Sequence, residues 1–167
     1  VVDIACARER GIPVCNVPAY GTASVSQYAI ALLLEACHHI GHHSDAVHAG
    51  RWASCPAWGF WDYPLIELEH KTIGIIGFGR IGQARGVMAR ALGMHVIAYS
   101  RTRRPEVEQA TGVAYVELDE LLAKSDFISL HAPAADGGPI VTAETIARMK
   151  DGVVIVNTSR GVNVDED

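Results

Sequence analysis

The chain has 167 residues, of which 49% are apolar and 20% charged, and its formal net charge is −5. This composition is typical of a globular domain that can bury a core, and the acidic balance argues against a nucleic-acid partner. No apolar run reaches the roughly 18 residues of a membrane span, and no secretory signal stands at the start, so we expect a cytoplasmic protein without a membrane partner.

The cysteines form no C-x-x-C pair, which argues against a zinc knuckle or a thioredoxin-like redox motif. We interpret them as free thiols in a reducing compartment, and a single reactive cysteine is the less favoured alternative.

The first 70 residues combine short elements with a long helix. Gly11 is placed to end a first helix, and residues 12–17 are predicted to form a short strand closed by Pro18. A long amphipathic helix is predicted from about residue 24 to residue 48, ended by Gly50. Residues 51–63 are predicted to form an irregular, aromatic-rich segment, called here the aromatic arm, because proline and glycine interrupt every regular pattern.

From Lys71 onward, apolar strands alternate with helices. Strands are predicted at about residues 72–76, 95–99, 127–130 and 153–157, with a weak one near Ala114, and helices at about 81–92, 105–111, 118–124 and 143–150. Continuous apolar strands are typical of parallel sheets that are buried on both faces. The predicted fold is therefore α/β, a doubly wound parallel sheet of the Rossmann type.

A glycine-rich turn joins the first of these strands to the helix that follows. Gly77, Gly79 and Gly82 form G-x-G-x-x-G, and Arg80 and Ile81 begin the helix. In a dinucleotide site these glycines allow a tight turn, a close approach of the pyrophosphate, and close packing of helix on strand. The unpaired N–H groups at the helix start attract phosphate. The strand before and the helix after the turn favour a dinucleotide cofactor over a simple turn.

The next strand ends at a position that separates NAD from NADP. An NAD site usually carries an acidic residue there, which binds the ribose hydroxyls, but this chain has Ser100 followed by Arg101 and Thr102, with two further arginines. Serine and arginine suit a 2′-phosphate, so NADP is favoured over NAD, although both can bind. A solvated basic loop is the alternative interpretation.

Five stretches together resemble the D-isomer-specific 2-hydroxyacid dehydrogenases: residues 11–18 (GIPVCNVP), 22–34, 71–83, 126–133 (DFISLHAP) and 149–161 (MKDGVVIVNTSRG). They span most of the chain. Residues 60–68 (FWDYPLIEL), which include the end of the aromatic arm, resemble the hydroxypyruvate reductase, or glycerate dehydrogenase, branch of that family.

The resemblance implies roles for particular residues. Arg160, within N-x-x-R-G, would bind the substrate carboxylate and polarise the carbonyl group as the catalytic arginine. The other implied positions all contact the cofactor. The adenosine and ribose side would be lined by His131, Ala132 and Pro133, and the nicotinamide end by Thr158, Ser159 and Val25.

The resemblance also implies a division of the chain. Residues 1–20 would be a remnant of the substrate domain, residues 21–70 a linking helix with a dimerisation arm, and residues 71–167 the dinucleotide-binding core, incomplete at its C-terminal end. The family's glutamate and its histidine general acid would follow beyond Asp167. The loop that begins at Ala134 is one residue shorter than is usual. We therefore expect part of a longer enzyme, inactive alone.

Two other features of the sequence, a histidine cluster and the aromatic arm, could each indicate a ligand site. Histidines at 38, 39, 42 and 43 recur at helical spacing, but the sequence offers no full ligand set, so no metal is predicted. The aromatic arm could be a ligand pocket, whereas the resemblance favours packing on a second copy of the chain, hence a homodimer.

The functional hypothesis is an oxidoreductase domain that transfers a hydride between NAD(P)H and a small 2-oxo or 2-hydroxy acid of the hydroxypyruvate, glyoxylate or glycerate class. The alternative is a non-catalytic NAD(P)-binding module that acts through a protein partner. Arg160 favours the enzyme, and the missing acid favours the module.

Overall fold

The structure is a computed structural model that describes residues 2–134 and 138–167, and its centre is a five-stranded parallel sheet. The strands are β1 (Thr72–Ile76), β2 (His95–Tyr99), β3 (Ala114–Tyr115), β4 (Phe127–Leu130) and β5 (Val154–Asn157). Their order in the sheet is β3-β2-β1-β4-β5. The order in which strands are added reverses between β1 and β4, the point at which doubly wound folds bind their ligands. The predicted fold class is confirmed.

Helices cover both faces of the sheet because alternate residues of each buried strand point to opposite sides. On one face, α2 (Thr22–His38) and α5 (Arg80–Ala91) pack on a core that includes Ile73 and Ile75. On the other face, α7 (Leu118–Lys124) covers a core that includes Ile76 and Ile128. The connections α6 (Pro105–Thr111) and α8 (Ala143–Ile146) complete the alternation.

Several predicted boundaries are confirmed. β1, β2, β4, α6 and α7 begin and end where the sequence predicted, α5 begins and ends one residue earlier than predicted, and β5 begins one residue later. α8 is shorter than predicted, because the helix ends at Ile146 and the chain continues in turns to residue 152. Near the N-terminus, α1 (Ile4–Glu9) is followed by Gly11 at φ +66°, as expected of a glycine that ends a helix.

The predicted strand at residues 12–17 is wrong. These residues are exposed and extended without strand pairing in the described part of the chain. Alternating apolar residues favour a strand only where a neighbouring strand supplies hydrogen bonds, and none lies beside this segment.

The predicted single helix over residues 24–48 is also wrong, because it starts at Thr22 and divides at His39. His39 has φ +49° and separates α2 from α3 (Ile40–His48). Its N–H still donates to the Glu35 carbonyl oxygen, and the Glu35 carboxylate accepts the N–H of Gly41 at 3.2 Å. The side chain of Glu35 thus satisfies a free donor at the start of α3, which stabilises the break.

The aromatic arm is less irregular than predicted, since it begins with the short helix α4 (Arg51–Ser54). The Arg51 guanidinium lies 4.2 Å from the centroid of the Phe60 ring and donates to both carboxylate oxygens of Asp62. His42 of α3 also contacts Asp62, at 2.6 Å. Asp62 therefore fastens the arm to α3 and α4. In the described residues, no helix is long and apolar enough to cross a bilayer.

Candidate cofactor and substrate site

The glycine turn lies against the end of β4. Gly77 has φ +92°, and a Cβ atom on it would lie 2.5 Å from the backbone nitrogen of Ala132. A Cβ atom on Gly82 would lie 2.4 Å from the carbonyl oxygen of Gly77, so α5 packs directly on the turn. By contrast, a Cβ atom on Gly79 would meet nothing within 4 Å. The turn is therefore packed from behind at two glycines and open at the third, as a close approach by phosphate requires.

The start of α5 offers donors at that opening. Gly79 is the N-cap residue and no side chain caps the helix, so the first N–H groups of the helix remain available. Arg80 is exposed beside them and Ile81 is half-buried.

The end of β2 is tied to the glycine turn by Ser100, whose Oγ accepts the N–H of Phe78 at 2.8 Å. Arg101 and Thr102 follow on the exposed surface. Arg103 donates to Glu117 at 2.6 Å, whereas neither Arg101 nor Arg104 forms an ion pair within the described residues. Among the described residues, the Arg101 and Arg104 side chains therefore have no acidic partner.

At the end of β4, His131 is held in a neutral form. Its Nε2 atom lies 2.9 Å from the Oγ of Ser129. Burial and, to a smaller extent, the positive charge of Arg85 lower the pKa of His131 to about 4. Ala132 is half-buried and Pro133 exposed. A neutral imidazole with so low a pKa is a poor proton donor near neutral pH. The shortened loop extends into residues 135–137, which lie outside the described residues.

The end of β5 presents Arg160 on a loop that Asn157 organises. The Oδ1 atom of Asn157 accepts the Ser159 N–H at 2.9 Å and the Ser159 hydroxyl at 2.7 Å, and its Nδ2 donates to the Arg160 carbonyl oxygen at 2.9 Å. The Arg160 side chain is exposed, and its Nη1 donates to the Ser159 carbonyl oxygen at 2.9 Å. Its remaining donors are available to a ligand, and a guanidinium suits a carboxylate.

Asn163, which sequence reasoning missed, links this loop to β4. Its Nδ2 atom donates to the Ala132 carbonyl oxygen at 3.0 Å and to the Ser159 Oγ at 2.9 Å. Its side chain is almost completely buried. Asn163 thus fixes two of the predicted site segments relative to each other. The sequence carried one signal, a polar residue between Val162 and Val164, which is weak in isolation.

A cleft of about 510 Å³ separates α2 from the end of β5. Val25 and Thr158, both predicted at the nicotinamide end, line this cleft together with Ser24, Tyr28, Leu32 and Asn157. The Oγ1 atom of Thr158 is buried and has no hydrogen-bond partner in the described structure. An unpaired buried hydroxyl beside an open cleft is suited to receive a polar ligand group.

Most predicted site residues therefore lie at the carboxyl edge of the sheet, while Arg101 and Thr102 are exposed and form no hydrogen bond with another site residue in the described part of the chain. The open Gly79, the uncapped start of α5 and the unpaired Thr158 hydroxyl fit a nicotinamide dinucleotide. No cluster of three or more histidine, cysteine, aspartate or glutamate residues suited to a metal occurs among the described residues.

The parallel sheet and the glycine turn at its carboxyl edge define a dinucleotide-binding domain. Residues 30–167 match the family model described as "D-isomer specific 2-hydroxyacid dehydrogenase, NAD binding domain". The chain belongs to this family.

Relatives in sequence and in structure agree with this assignment. A hydroxypyruvate reductase of Blautia hydrogenotrophica is 60% identical over 96% of the chain and 50% of its own length. A D-lactate dehydrogenase from Aquifex aeolicus, complexed with NAD and lactic acid, is similar with a TM-score of 0.80 and 34% identity over 98% of the chain and 48% of its own. A putative D-isomer specific 2-hydroxyacid dehydrogenase from Polaromonas has a TM-score of 0.88 and 32% identity over 99% of the chain and 51% of its own length. The chain spans about half the length of these relatives.

Proposed function

We propose that the chain is the cofactor-binding part of an oxidoreductase that transfers a hydride between NAD(P)H and a small 2-oxo or 2-hydroxy acid of the hydroxypyruvate, glyoxylate or glycerate class. The observation that carries the proposal is the position of Arg160. Its exposed guanidinium stands on the loop that follows Asn157 and Thr158, and both of these residues line the cleft beside α2.

In this proposal the residues of the chain bind and orient. The cofactor supplies the hydride, which is delivered to C2 of the acid. Arg160 would hold the substrate carboxylate through two parallel hydrogen bonds and draw electron density from the adjacent carbonyl group. Asn157 and Asn163 would keep the loop of Arg160 in place, because both hold Ser159 through side-chain hydrogen bonds.

The proton for the developing alkoxide would come from a group other than His131. That imidazole is tied to Ser129, and its pKa of about 4 leaves it neutral near pH 7. The histidine that the family places after N-x-x-R-G is the expected donor. General acids of this kind contribute typically about 10²–10⁴-fold to the rate. We therefore expect the 167 residues alone to bind the cofactor and to reduce 2-oxo acids negligibly.

We also propose a preference for NADP over NAD, residence in the cytoplasm, and a homodimer. The cofactor preference is supported by the free Arg101 and Arg104 near Ser100. The homodimer is supported by the aromatic arm, on which Trp52, Trp58 and Trp61 are more than half exposed. Residues 21–70 would supply that interface, residues 71–167 the dinucleotide-binding core, and residues 1–20 part of the substrate domain.

Arg160→Met tests the proposed function through two separate ligands. NADH fluorescence reports cofactor binding, and a further change on addition of oxamate, an unreactive mimic of a 2-oxo acid, reports the substrate site. We expect Arg160→Met to keep the NADH affinity and to lose the response to oxamate, since only the carboxylate contact is removed. Arg148→Met is the matched control, because Arg148 is paired with Asp119 and Glu144 far from the cleft. An unchanged oxamate response in Arg160→Met would contradict the proposal.

A further inference from the structure

Arg85 is a buried arginine without a counter-charge. It lies in the middle of α5, is completely inaccessible to solvent, and its Nε, Nη1 and Nη2 atoms find no hydrogen-bond partner within the described residues. Burial lowers the pKa of its guanidinium to about 10, which leaves the side chain charged near neutral pH. No carboxylate of the described residues accepts a hydrogen bond from the guanidinium.

The other buried residues of α5 are small or apolar. They are Gly82, Gly86 and Ala89, and α2 packs against this helix through a face that includes Ala29 and Leu33. A lone buried charge in such an environment is strongly unfavourable, and natural proteins pair buried charges with an opposite charge or a ligand. The position would suit a small apolar residue better, so the arginine needs a functional explanation.

Arg85 follows Gly82 by about one turn of α5, and Gly82 packs directly on the glycine turn, since a Cβ atom on it would lie 2.4 Å from the Gly77 carbonyl oxygen. The charge of Arg85 acts on His131, whose pKa it helps to lower, and His131 adjoins the turn, because a Cβ atom on Gly77 would lie 2.7 Å from the His131 carbonyl carbon. Side chains of an α-helix also tilt toward its N-terminus. A side chain at position 85 that follows this tilt extends toward the start of α5, where a Cβ atom on Gly79 would meet nothing within 4 Å.

We propose that Arg85 is the buried counter-charge for the diphosphate of the cofactor. It is a positioning residue that acts through its electric field from beneath the turn, in addition to the N–H groups at the surface of the turn. The low dielectric of the interior transmits this attraction more strongly than water does. The neutral state of His131, which is hydrogen-bonded to Ser129, is consistent with this role, because a second positive charge beside Arg85 would be repelled. The inference rests on the proposed function, because it requires a dinucleotide at the glycine turn.

This role predicts opposite effects on folding and on binding when the charge is removed. In Arg85→Met, which keeps the length and removes the charge, the unfolding temperature without ligand should rise by a few degrees. The affinity for NADH should fall about tenfold or more, the size expected of a charge pair in a partly buried site. A purely structural Arg85 would give the reverse, lower stability with unchanged affinity. Arg90→Met removes the same charge from an exposed position of the same helix and should leave NADH affinity unchanged.

The ligand series separates this inference from the proposed function. ADP-ribose carries the diphosphate without the nicotinamide, and adenosine carries neither. Arg85→Met should weaken ADP-ribose as much as NADH and leave adenosine unchanged, and Arg85→Lys, which retains the charge, should stay within about threefold of the original protein. If Arg85→Met does not fold, Arg85→Gln provides the same comparison. If the original protein and the folded uncharged variant bind NADH with equal affinity, only the role of Arg85 is overturned. If the original protein does not bind NADH, the proposed function is overturned.

Discussion

The hydroxyl oxygen of Ser100 accepts the backbone N–H of Phe78 at 2.8 Å, so the residue at the end of β2 is also part of the glycine turn. In Rossmann dinucleotide sites, the residue at the end of this strand recognises the ribose. In this chain the residue that would meet the ribose therefore also fixes the shape of the phosphate-binding turn. An aspartate at the same position could accept the same N–H, so its charge can be changed without losing the turn.

Cofactor preference should depend on Ser100 and Arg101. We expect the chain to bind NADPH about tenfold to hundredfold more tightly than NADH, since a charge-assisted hydrogen bond contributes about 1.5–3 kcal/mol. The value should lie near the lower limit because Arg101 is exposed and salt screens it. Ser100→Asp combined with Arg101→Ala should reverse the preference and keep NADH affinity. Fluorescence titration with both cofactors at two salt concentrations measures this.

The neighbouring arginine supplies the control. Arg103 is already paired with Glu117, so Arg103→Ala should leave the NADPH to NADH ratio unchanged. Equal affinity of the original chain for both cofactors, insensitive to salt, would mean that the arginines only contact solvent.

Asn163 should be important for both stability and the substrate loop. Asn163→Leu removes the donors to Ala132 and Ser159 and leaves the carbonyl oxygen of half-buried Ala132 without this partner; losing the partner of a buried polar group typically costs about 1–3 kcal/mol. Urea unfolding should register that loss, and the oxamate response should weaken because Arg160 is less well held. Asn16 is exposed, and Asn16→Leu should change neither quantity. A stability like that of the original chain would show that Asn163 does not join the two segments.

The stability of the fold should fall in mild acid because of His131. Its pKa is about 4 in the folded chain against an ordinary 6.5, so between these values the unfolded chain binds the proton and the folded chain does not. The contribution of neutral His131 to the free energy of unfolding is complete above pH 6.5 and is lost as the pH falls toward 4. The loss amounts to about 3 kcal/mol over that range. His131→Gln should flatten the slope of unfolding free energy against pH in this window. The exposed His95→Gln should leave it unchanged, and an equally steep slope in both variants would refute the assignment.

The aromatic arm should hold two copies of the chain together. Trp58 is 89% exposed and Trp61 64% exposed, and large exposed aromatic patches usually mark interfaces. Replacing both by serine should convert a dimer into a monomer in light scattering at micromolar concentration, whereas Tyr20→Ser, at 84% exposure outside the arm, should have no effect. A monomeric original chain would contradict the proposal.

The parts of this molecule that follow local rules could be predicted from the sequence. The glycine turn, the apolar strands and the arginine of N-x-x-R-G each occupy a few adjacent residues, and the structure places Gly77 and Gly82 in the tight contacts that such turns require. These features depend on backbone sterics and on strand burial, which neighbouring residues determine.

The parts that depend on distant partners could not be predicted. The break at His39 depends on the Glu35 carboxylate capping α3, and the residues at 12–17 form no strand because no neighbour pairs with them. Asn163 has only the weak signal of a polar residue between two valines, and Arg85 has none, since their importance comes from contacts across elements or from the lack of such contacts. Contacts between distant parts of the chain decide both which elements form and which buried polar residues find partners.

The binding of a dinucleotide at the glycine turn is the central claim, and NADH titration of Gly79→Val against Gly59→Val tests it most directly. A Cβ atom at either glycine meets nothing within 4 Å, and neither glycine has a positive φ, so both variants should fold. Only the valine at position 79 would occupy the space that the pyrophosphate needs. We predict that NADH affinity falls at least about tenfold in Gly79→Val and stays unchanged in Gly59→Val. Unchanged affinity in a folded Gly79→Val protein would contradict the account.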